Sequence, residues 1–392
     1  MQLSLRGAQL SAISFTLIAL YSCSSWPSGV GALQQDRPMG SRSLNPRSQK
    51  AFKPAWRVDL GERGPFLKGQ SFIGGVETHP SRPLLAVVGY DGQLQLRHKL
   101  SGELLWTERL SASGAGAPHI TGDTLLIPTS DAQLTAYSLQ RREVLWRRQL
   151  SGLTTAPLKV RDGVVYATDG TDSLYALRLS DGEVLWQRRR GSPKDFSLNG
   201  EASPVLYKGV VYMGFSDGFL VAYDAASGSQ LWERDLAPQR SQFQDVDADA
   251  VVIAGVLYAA SSASGLYALD PRSGEPRWFH PVAGIISMTS QGEDLVVGLQ
   301  HGEVGRFSPQ DKRYVWRVSF GTDGAPSRVQ RFPYGLAVSL SRGGLYILDA
   351  ESGALRDQLS VGSGLLAPLK VSEAGWVYVS SLNGYLYALA PR

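Results

Sequence analysis

Short apolar segments separated by tight polar turns recur along most of this chain. In LYALRLSDGEVLW (174–186), alternating apolar residues lead into a Ser-Asp-Gly turn, and a second apolar run ends in Trp. Alternation with a period of two indicates β-strands, and a glycine-containing turn between two such runs predicts an antiparallel hairpin. The first apolar residue precedes the Trp by twelve positions in six hairpins, namely Leu94/Trp106, Leu134/Trp146, Leu174/Trp186, Leu220/Trp232, Leu266/Trp278 and Val304/Trp316. This constant spacing identifies a structural repeat.

Each hairpin follows another apolar strand, so the repeating unit is larger than a hairpin. DGVVYATD (162–169) and KGVVYMGF (208–215) are two examples of this preceding strand. A further strand is expected to enter each unit through segments such as TAPL (155–158) and ASPV (202–205). Units of about 40 residues with four strands are typical of β-propeller blades.

Eight such units fit the chain. They start at Leu94, Leu134, Leu174, Leu220, Leu266, Val304, Leu345 and Leu386. Asp357 stands where the seventh unit would have its Trp, and the eighth unit lacks its own fourth strand. The segment PAWRVDL around Trp56 can supply that strand and remove the open sheet edges of an unclosed ring. We therefore predict an all-β fold, an eight-bladed β-propeller of four-stranded antiparallel blades with a ring closed by an N-terminal strand, and we interpret the recurring Trp residues as packing between blades.

The residues before the first unit have the pattern of an export signal and a tether. A short basic start is followed by the apolar run AISFTLIAL (12–20), which is too short for a permanent membrane-spanning helix. The run leads into LYSC (20–23), which resembles the lipobox of bacterial lipoproteins, and Cys23 is the only cysteine. We predict a signal peptide at 1–22, an acylated Cys23 with a flexible tether at 23–53, and the propeller at 54–392. Ser24, rather than Asp, after the cysteine favours release to the outer membrane, by analogy with enteric lipoproteins.

Composition and charge provide few candidates for chemistry. The formal net charge is +4 and the basic residues form no continuous stripe, so nucleic-acid binding is not expected. Asp245, Asp247 and Asp249 have the spacing that begins a calcium loop, but Ala250 and Val256 stand where that loop needs Gly and Glu. Five histidines lie far apart without the spacing of zinc ligands, and these are His79, His98, His119, His280 and His301. We predict no metal site, no cofactor and no catalytic residue.

Two connections between units are longer than the others. Successive unit starts differ by 40, 40, 46, 46, 38, 41 and 41 residues, so the two long intervals fall in adjacent blades. The extra residues belong to QRRRGSPKDFSLNGEASP (187–204) and ERDLAPQRSQFQDVDADA (233–250). Insertions in repeat proteins collect on one face and commonly carry function. Phe196 and Leu198, beside the carboxylates of the second segment, give these loops the composition of a protein-binding surface, although solvated polar loops are an alternative.

Two motifs within these loops resemble those of a known family. FSLNGEASP (196–204) is similar to a Leu-Ser-Leu-Arg-Gly-Glu loop, and QDVD (244–247) to a Ser-Asp-Val-Asp loop, of the BamB family. Members of that family are lipoprotein β-propellers of the bacterial outer-membrane β-barrel assembly machinery. The lipobox, the tether, the eight units with their recurring Trp and the missing seventh Trp also fit the family, and the resemblance extends from about Trp56 to the C-terminus.

The resemblance implies both a role and the residues that perform it. The expected role is that of a non-catalytic scaffold, lipid-anchored at the periplasmic face of the outer membrane, which binds the periplasmic domains of the central subunit BamA and assists nascent outer-membrane proteins. The family's docking positions correspond to Phe196, Leu198, Asn199, Asp245 and Asp247. Phe196 stands where the family has Leu, and Asn199 where it has Arg.

Two other functions are compatible with an eight-bladed propeller. Dehydrogenases that use pyrroloquinoline quinone share the Trp-ending blades, but they resemble one another in a vicinal Cys-Cys pair, a calcium site with a catalytic Asp and long insertions, which this sequence lacks. A periplasmic propeller that binds a small ligand or a polysaccharide in its central channel is the other alternative.

The predicted anchor leads to a direct test. Cys23→Ala removes the thiol that would be acylated, so the variant should move from the membrane fraction to the soluble periplasm, while its circular dichroism spectrum stays that of the wild type. Ser25→Ala, an equally small change two residues away, should stay with the membrane. Equal membrane retention of Cys23→Ala and wild type would contradict the prediction of a lipoprotein.

Overall fold

The described part of the chain consists of strands joined by turns. The structure, a computed structural model of the chain, describes residues 51–60, 75–89, 91–190, 202–238, 245–246, 248–321, 324–360, 365, 369–382 and 384–392. These residues contain thirty-two strands and no helix, hence no helix that could cross a membrane. The predicted signal peptide, Cys23 and nearly all of the predicted tether lie outside the described residues.

The strands form eight sheets of four. The N-terminal strand is β1 (Phe52–Asp59). Blade 1 contains β2 (Val76–Thr78), β3 (Leu84–Val88), β4 (Gln93–His98) and β5 (Leu104–Arg109). Blade 2 contains β6 (His119–Thr121), β7 (Thr124–Pro128), β8 (Gln133–Ser138) and β9 (Glu143–Gln149). Blade 3 contains β10 (Lys159–Arg161), β11 (Val164–Asp169), β12 (Ser173–Arg178) and β13 (Val184–Arg189). Blade 4 contains β14 (Val205–Tyr207), β15 (Val210–Gly214), β16 (Phe219–Asp224) and β17 (Gln230–Asp235).

The remaining blades repeat this arrangement. Blade 5 contains β18 (Val251–Ile253), β19 (Val256–Ser261), β20 (Gly265–Leu269) and β21 (Pro276–His280). Blade 6 contains β22 (Ile285–Gln291), β23 (Asp294–Leu299), β24 (Glu303–Ser308) and β25 (Arg313–Ser319). Blade 7 contains β26 (Pro326–Phe332), β27 (Gly335–Leu340), β28 (Gly344–Leu348) and β29 (Leu355–Leu359). Blade 8 contains β30 (Lys370–Val371), β31 (Val377–Ser380) and β32 (Tyr385–Pro391).

Blade 8 is completed by the N-terminal strand. Strand β1 pairs antiparallel with β32, with Trp56 opposite Ala388 and Asp59 opposite Tyr385. The first and last described segments therefore share one sheet, and the predicted eight-bladed ring with an N-terminal closing strand is confirmed. The strand begins at Phe52, slightly before the boundary at residue 54 that the sequence suggests.

Burial explains why the two middle strands of each blade carry the strongest apolar pattern. In blade 3, β11 and β12 are almost entirely buried, whereas β13 has alternating exposed and covered positions. The middle strands are covered on both faces by neighbouring blades, as in the cluster that joins Tyr166, Ala176 and Trp186 of blade 3 to Val211 and Met213 of blade 4. Each blade therefore contributes both faces of its central strands to the core.

The first strands begin later than the sequence suggests. TAPL (155–158) and ASPV (202–205) were expected to form these strands, but β10 begins at Lys159 and β14 at Val205. Each segment contains a proline, Pro157 or Pro204, which has no N–H to donate to the sheet, so pairing starts after it. This correction changes which side chains lie within the first strands.

The recurring Trp residues join neighbouring blades, as their constant spacing in the sequence predicts. Trp186 of blade 3 donates a hydrogen bond from Nε1 to the carbonyl of Ala225 in blade 4, at 3.1 Å. Its ring covers Gly228, in the turn between β16 and β17, where a Cβ atom would lie only 2.6 Å from the indole. The same Nε1 bond occurs at four other joints, from Trp56 to Lys99, Trp146 to Leu179, Trp232 to Pro271 and Trp316 to Ala350.

Blade 7 replaces this contact with a different one. Asp357 pairs with Ile347 in the register that places Trp186 opposite Ala176 in blade 3. Its carboxylate accepts a hydrogen bond from the backbone N–H of Phe52 at 2.9 Å, and the Phe52 ring packs against Phe332. The predicted loss of the seventh Trp is therefore confirmed, and the closing strand covers that joint.

The contact between Trp and Gly predicts an unequal effect of two matched substitutions. Gly228 and Gly209 both have positive φ, at 68° and 78°, so alanine at either position should cost about 1 kcal/mol in backbone strain. A Cβ at Gly209 meets no atom within 4 Å, whereas one at Gly228 meets the Trp186 indole. Gly228→Ala should therefore lose about 1 to 3 kcal/mol more of the free energy of unfolding, measured by denaturant titration. Equal losses would show that the joint tolerates displacement of the indole.

Candidate partner-binding face and central channel

The two lengthened connections leave the propeller on the same side. Residues 190–204 lead from β13 to β14, and residues 236–250 lead from β17 to β18. Each therefore links the outer strand of one blade to the first strand of the next, at the edge that also carries the turns between second and third strands. We call this side the loop face. Both connections reach blade 4, so their described ends are neighbours.

A carboxylate joins the ends of the two connections. Asp249, two residues before β18, accepts a hydrogen bond at Oδ1 from the backbone N–H of Ser203, two residues before β14, at 2.7 Å. Its Oδ2 forms an ion pair with Arg328 of blade 7 at 3.0 Å. Asp249, which the sequence grouped with the loop carboxylates, thus has both oxygens committed within the protein.

The second connection packs tightly where the structure describes it. Asp245 is only 5% exposed, and its carbonyl accepts hydrogen bonds from the backbone N–H and hydroxyl of Ser262 at 3.1 and 3.2 Å. Val246 is buried and donates its N–H to the carbonyl of Phe215 at 3.3 Å. The segment is therefore held by the loop-face turns of blades 4 and 5.

A charged cluster fixes the start of the first connection. Arg190 forms ion pairs with Asp217 at 2.7 Å and Glu233 at 2.6 Å, and its guanidinium lies 4.2 Å from the centre of the Phe219 ring. Burial lowers the pKa of Arg190, but its hydrogen bonds with the two carboxylates outweigh this effect and raise the pKa. Blade 4 therefore holds the first residue of this connection with a fixed charge pattern.

Most of the predicted docking residues lie beyond what the structure describes. Phe196, Leu198, Asn199 and Asp247 are outside the described residues, and only Asp245 is within them. The prediction that these five positions bind a partner therefore stays a prediction. The structure places the described ends of the two connections that contain these positions.

The first strands of the blades surround a central channel with a cavity of about 790 Å³. In each blade, one residue of the first strand lies in the same cross-strand row as the Trp of the outer strand. In blade 7, Asp357 takes the place of that Trp. We call these first-strand residues the channel ring, and all eight line the cavity: Glu77, His119, Lys159, Val205, Val251, Thr289, Gln330 and Lys370. The channel ring is not among the sites predicted from the sequence.

The ring contains strongly perturbed ionisable groups. Glu77 forms an ion pair with Lys370 at 2.5 Å; burial raises the pKa of Glu77 in spite of this cation. Burial, with smaller effects of Lys370 and Lys159, lowers the pKa of His119 to about 4. Burial also lowers the pKa of Lys159, although Asp249 acts in the opposite direction. At neutral pH the His119 imidazole is therefore uncharged.

The part of the chain that the structure describes contains no group of three or more His, Cys, Asp or Glu side chains placed to hold a metal ion. Asp249, the third residue of the calcium-like spacing, bonds to Ser203 and Arg328.

The closed ring of four-stranded blades with Trp-ending hairpins defines an eight-bladed PQQ-repeat β-propeller. The model of the family described as outer membrane protein assembly factor BamB matches residues 50–158 and 91–318, and the chain belongs to this family. None of the curated proteins matches the chain.

Solved structures show the same fold at low sequence identity. BamB from Moraxella catarrhalis aligns with a TM-score of 0.71 and 20% identity, covering 86% of this chain and 99% of that one. Sqt1 from Saccharomyces cerevisiae aligns with a TM-score of 0.69 and 15% identity, covering 86% of this chain and 99% of that one. The computationally designed Ika8 protein aligns with a TM-score of 0.67 and 15% identity, covering 83% of this chain and 98% of that one. Because 1776 chains match, the fold alone does not specify a function.

The perturbed histidine predicts a pH dependence of stability. His119 binds a proton near pH 6.5 when unfolded but only near pH 4 when folded, so its contribution makes the free energy of unfolding fall as the pH drops through this window. Glu77, whose pKa is raised, acts in the opposite direction. The pH dependence of the free energy of unfolding must therefore be compared between wild type and His119→Gln. The variant should lack the part of this dependence that comes from the histidine. An NMR titration in which the folded His119 ring titrates near pH 6.5 would contradict this prediction.

Proposed function

We propose that this chain is a non-catalytic scaffold of the outer-membrane β-barrel assembly machinery, and that its two lengthened loops bind the periplasmic domains of a BamA-like central subunit. Family membership supports a BamB-type role. In this proposal the acylated Cys23 anchors the protein at the periplasmic face of the outer membrane, and the propeller assists nascent outer-membrane proteins through its partner.

One observation supports the docking surface most directly. The ends of the two lengthened connections share a hydrogen bond, from the Ser203 N–H to Asp249 Oδ1 at 2.7 Å. We infer that loops whose ends are joined in this way present one surface, and such pre-organisation would lower the entropy lost on binding. In this proposal Phe196 and Leu198 supply the apolar anchor of the interface and Asp247 supplies a charge.

The enzyme alternative makes a different prediction. A dehydrogenase with pyrroloquinoline quinone should reduce a redox dye in the presence of the quinone and calcium, and we expect no such activity. The only cysteine in this chain, Cys23, cannot form the vicinal Cys-Cys pair that those enzymes share.

The docking proposal is tested by measuring affinity for the periplasmic domains of the barrel-assembly subunit from the same organism. Leu198→Ala and Asp247→Asn should each weaken binding, because truncating a central interface residue typically costs about 2 kcal/mol, or roughly thirtyfold in affinity. If Asp247 contacts a basic group, added salt should weaken the wild type more than Asp247→Asn.

Matched controls separate the loops from the rest of the surface. Leu185→Ala removes a leucine that is 40% exposed on an outer strand, and Asp162→Asn neutralises a carboxylate that is 93% exposed in the turn between β10 and β11, at the edge opposite the loop face. Both should bind like the wild type. Unchanged affinity of the double variant Leu198→Ala/Asp247→Asn would show that the loops are not the interface.

A further inference from the structure

The central channel has more cationic than anionic side chains. Its lining includes four cations, Lys159, Arg161, Arg328 and Lys370, and two carboxylates, Glu77 and Asp249. Both carboxylates are already paired, Glu77 with Lys370 and Asp249 with Arg328. Among the described residues, the channel wall therefore carries an excess of positive charge that its own carboxylates do not neutralise.

Lys159 is the cation on which this excess is concentrated. Arg161, the last residue of β10, is 54% exposed and forms an ion pair with Asp162. Lys159, in contrast, lies in the channel ring, and its side chain forms no ion pair or hydrogen bond within the described part of the chain. Its neighbours in the ring are His119, which adds no charge at neutral pH, and the apolar Val205. Asp249 attracts the charge of Lys159 but is already engaged by Arg328 and Ser203. Among the described residues Lys159 therefore has no carboxylate of its own, which is costly for a partly buried cation.

The surroundings of Lys159 have the features of a small-molecule site. A cavity of about 790 Å³ is within the range of ligand pockets, which combine apolar walls with a few convergent polar groups. On one side of the ring, Val205 and Val251 form an apolar wall, and on another Thr289 and Gln330 offer neutral hydrogen-bonding groups. The apolar wall suits a carbon skeleton, and the cations suit its charges.

We propose that the central channel binds a small organic anion carrying two or more carboxylate or phosphate groups, with Lys159 as its principal contact. Lys370 of blade 8 and Arg328 of blade 7 face the same cavity, so a second anionic group can approach a cation that is already half of an ion pair. A molecule with one charge could satisfy Lys159 but would leave the other cations unused. This inference concerns the channel and does not depend on binding of a partner at the loop face.

The test measures binding of two probes to the purified protein by isothermal titration calorimetry at constant ionic strength. Citrate represents the carboxylates, fructose 1,6-bisphosphate represents the phosphates, and acetate is the monovalent control. At least one of the two multivalent probes should bind saturably, with acetate at least tenfold weaker. Which of them binds more tightly distinguishes a carboxylate ligand from a phosphate ligand. If neither binds, or if acetate binds equally well, the proposal is wrong.

Variants of Lys159 locate the site. Lys159→Met keeps the length of the stem and removes the charge, and it should weaken binding of the probe at least tenfold, since a hydrogen bond to a charged group is worth more than about 1.4 kcal/mol. Lys159→Arg should retain binding. Lys53→Met makes the same charge change on the exposed face of β1 and should bind like the wild type. If Lys159→Met binds as tightly as the wild type, or Lys53→Met loses as much affinity, the channel is not the site.

The thermal stability of the free protein provides a second measurement. If Lys159 is an uncompensated cation, Lys159→Met should unfold at the same temperature as the wild type or a higher one, and citrate or fructose 1,6-bisphosphate should raise the unfolding temperature of the wild type alone. A Lys159→Met protein that is markedly less stable would show that the lysine supports the fold, which would overturn its assignment as a ligand contact.

Discussion

The contact of a tryptophan with the hairpin turn of the next blade is the interaction on which the rest of this structure depends. It combines the burial of an indole, an Nε1 hydrogen bond to a backbone carbonyl and a close approach that only glycine permits, as for Trp186 with Ala225 and Gly228. A four-stranded blade cannot bury both faces alone, so each blade becomes stable only through its neighbours. The ring must therefore close, and closure requires β1 from the other end of the described chain to complete blade 8.

Because the joints carry the stability, the connections on the loop face can change length without disturbing the ring. Residues 187–204 and 233–250 lengthen two adjacent connections, yet β14 and β18 pair with their neighbours in the same register as the other first strands. The additional backbone groups near the ends of these connections are satisfied locally, by Asp249 for Ser203 and by Ser262 for Asp245. The described ends of the two lengthened connections are therefore held in place by the ring.

The blade count, the closing strand and the missing seventh Trp could be predicted from the sequence because they depend on local spacing and register. The starts of the first strands could not be read as easily, since Pro157 and Pro204 interrupt an apolar pattern that otherwise looks like a strand. The channel charges were missed for a different reason: these strands are short, and their polarity resembles that of turns. A signal did exist, because the register that starts at Trp186 passes through Ala176 and Tyr166 to Lys159. Following the cross-strand partners of each Trp from the outer strand to the first strand in this way identifies the channel ring.

Asp249 shows that the loop face and the channel are not independent parts of the molecule. One of its oxygens holds the end of the first lengthened connection through Ser203, and the other reaches Arg328, two blades away across the channel. Arg328 in turn lines the cavity that contains Lys159. The two proposed sites, the loop face and the channel, therefore both reach this one carboxylate. If each ligand acts on the position of Asp249, the coupling between the two sites is reciprocal by thermodynamic necessity.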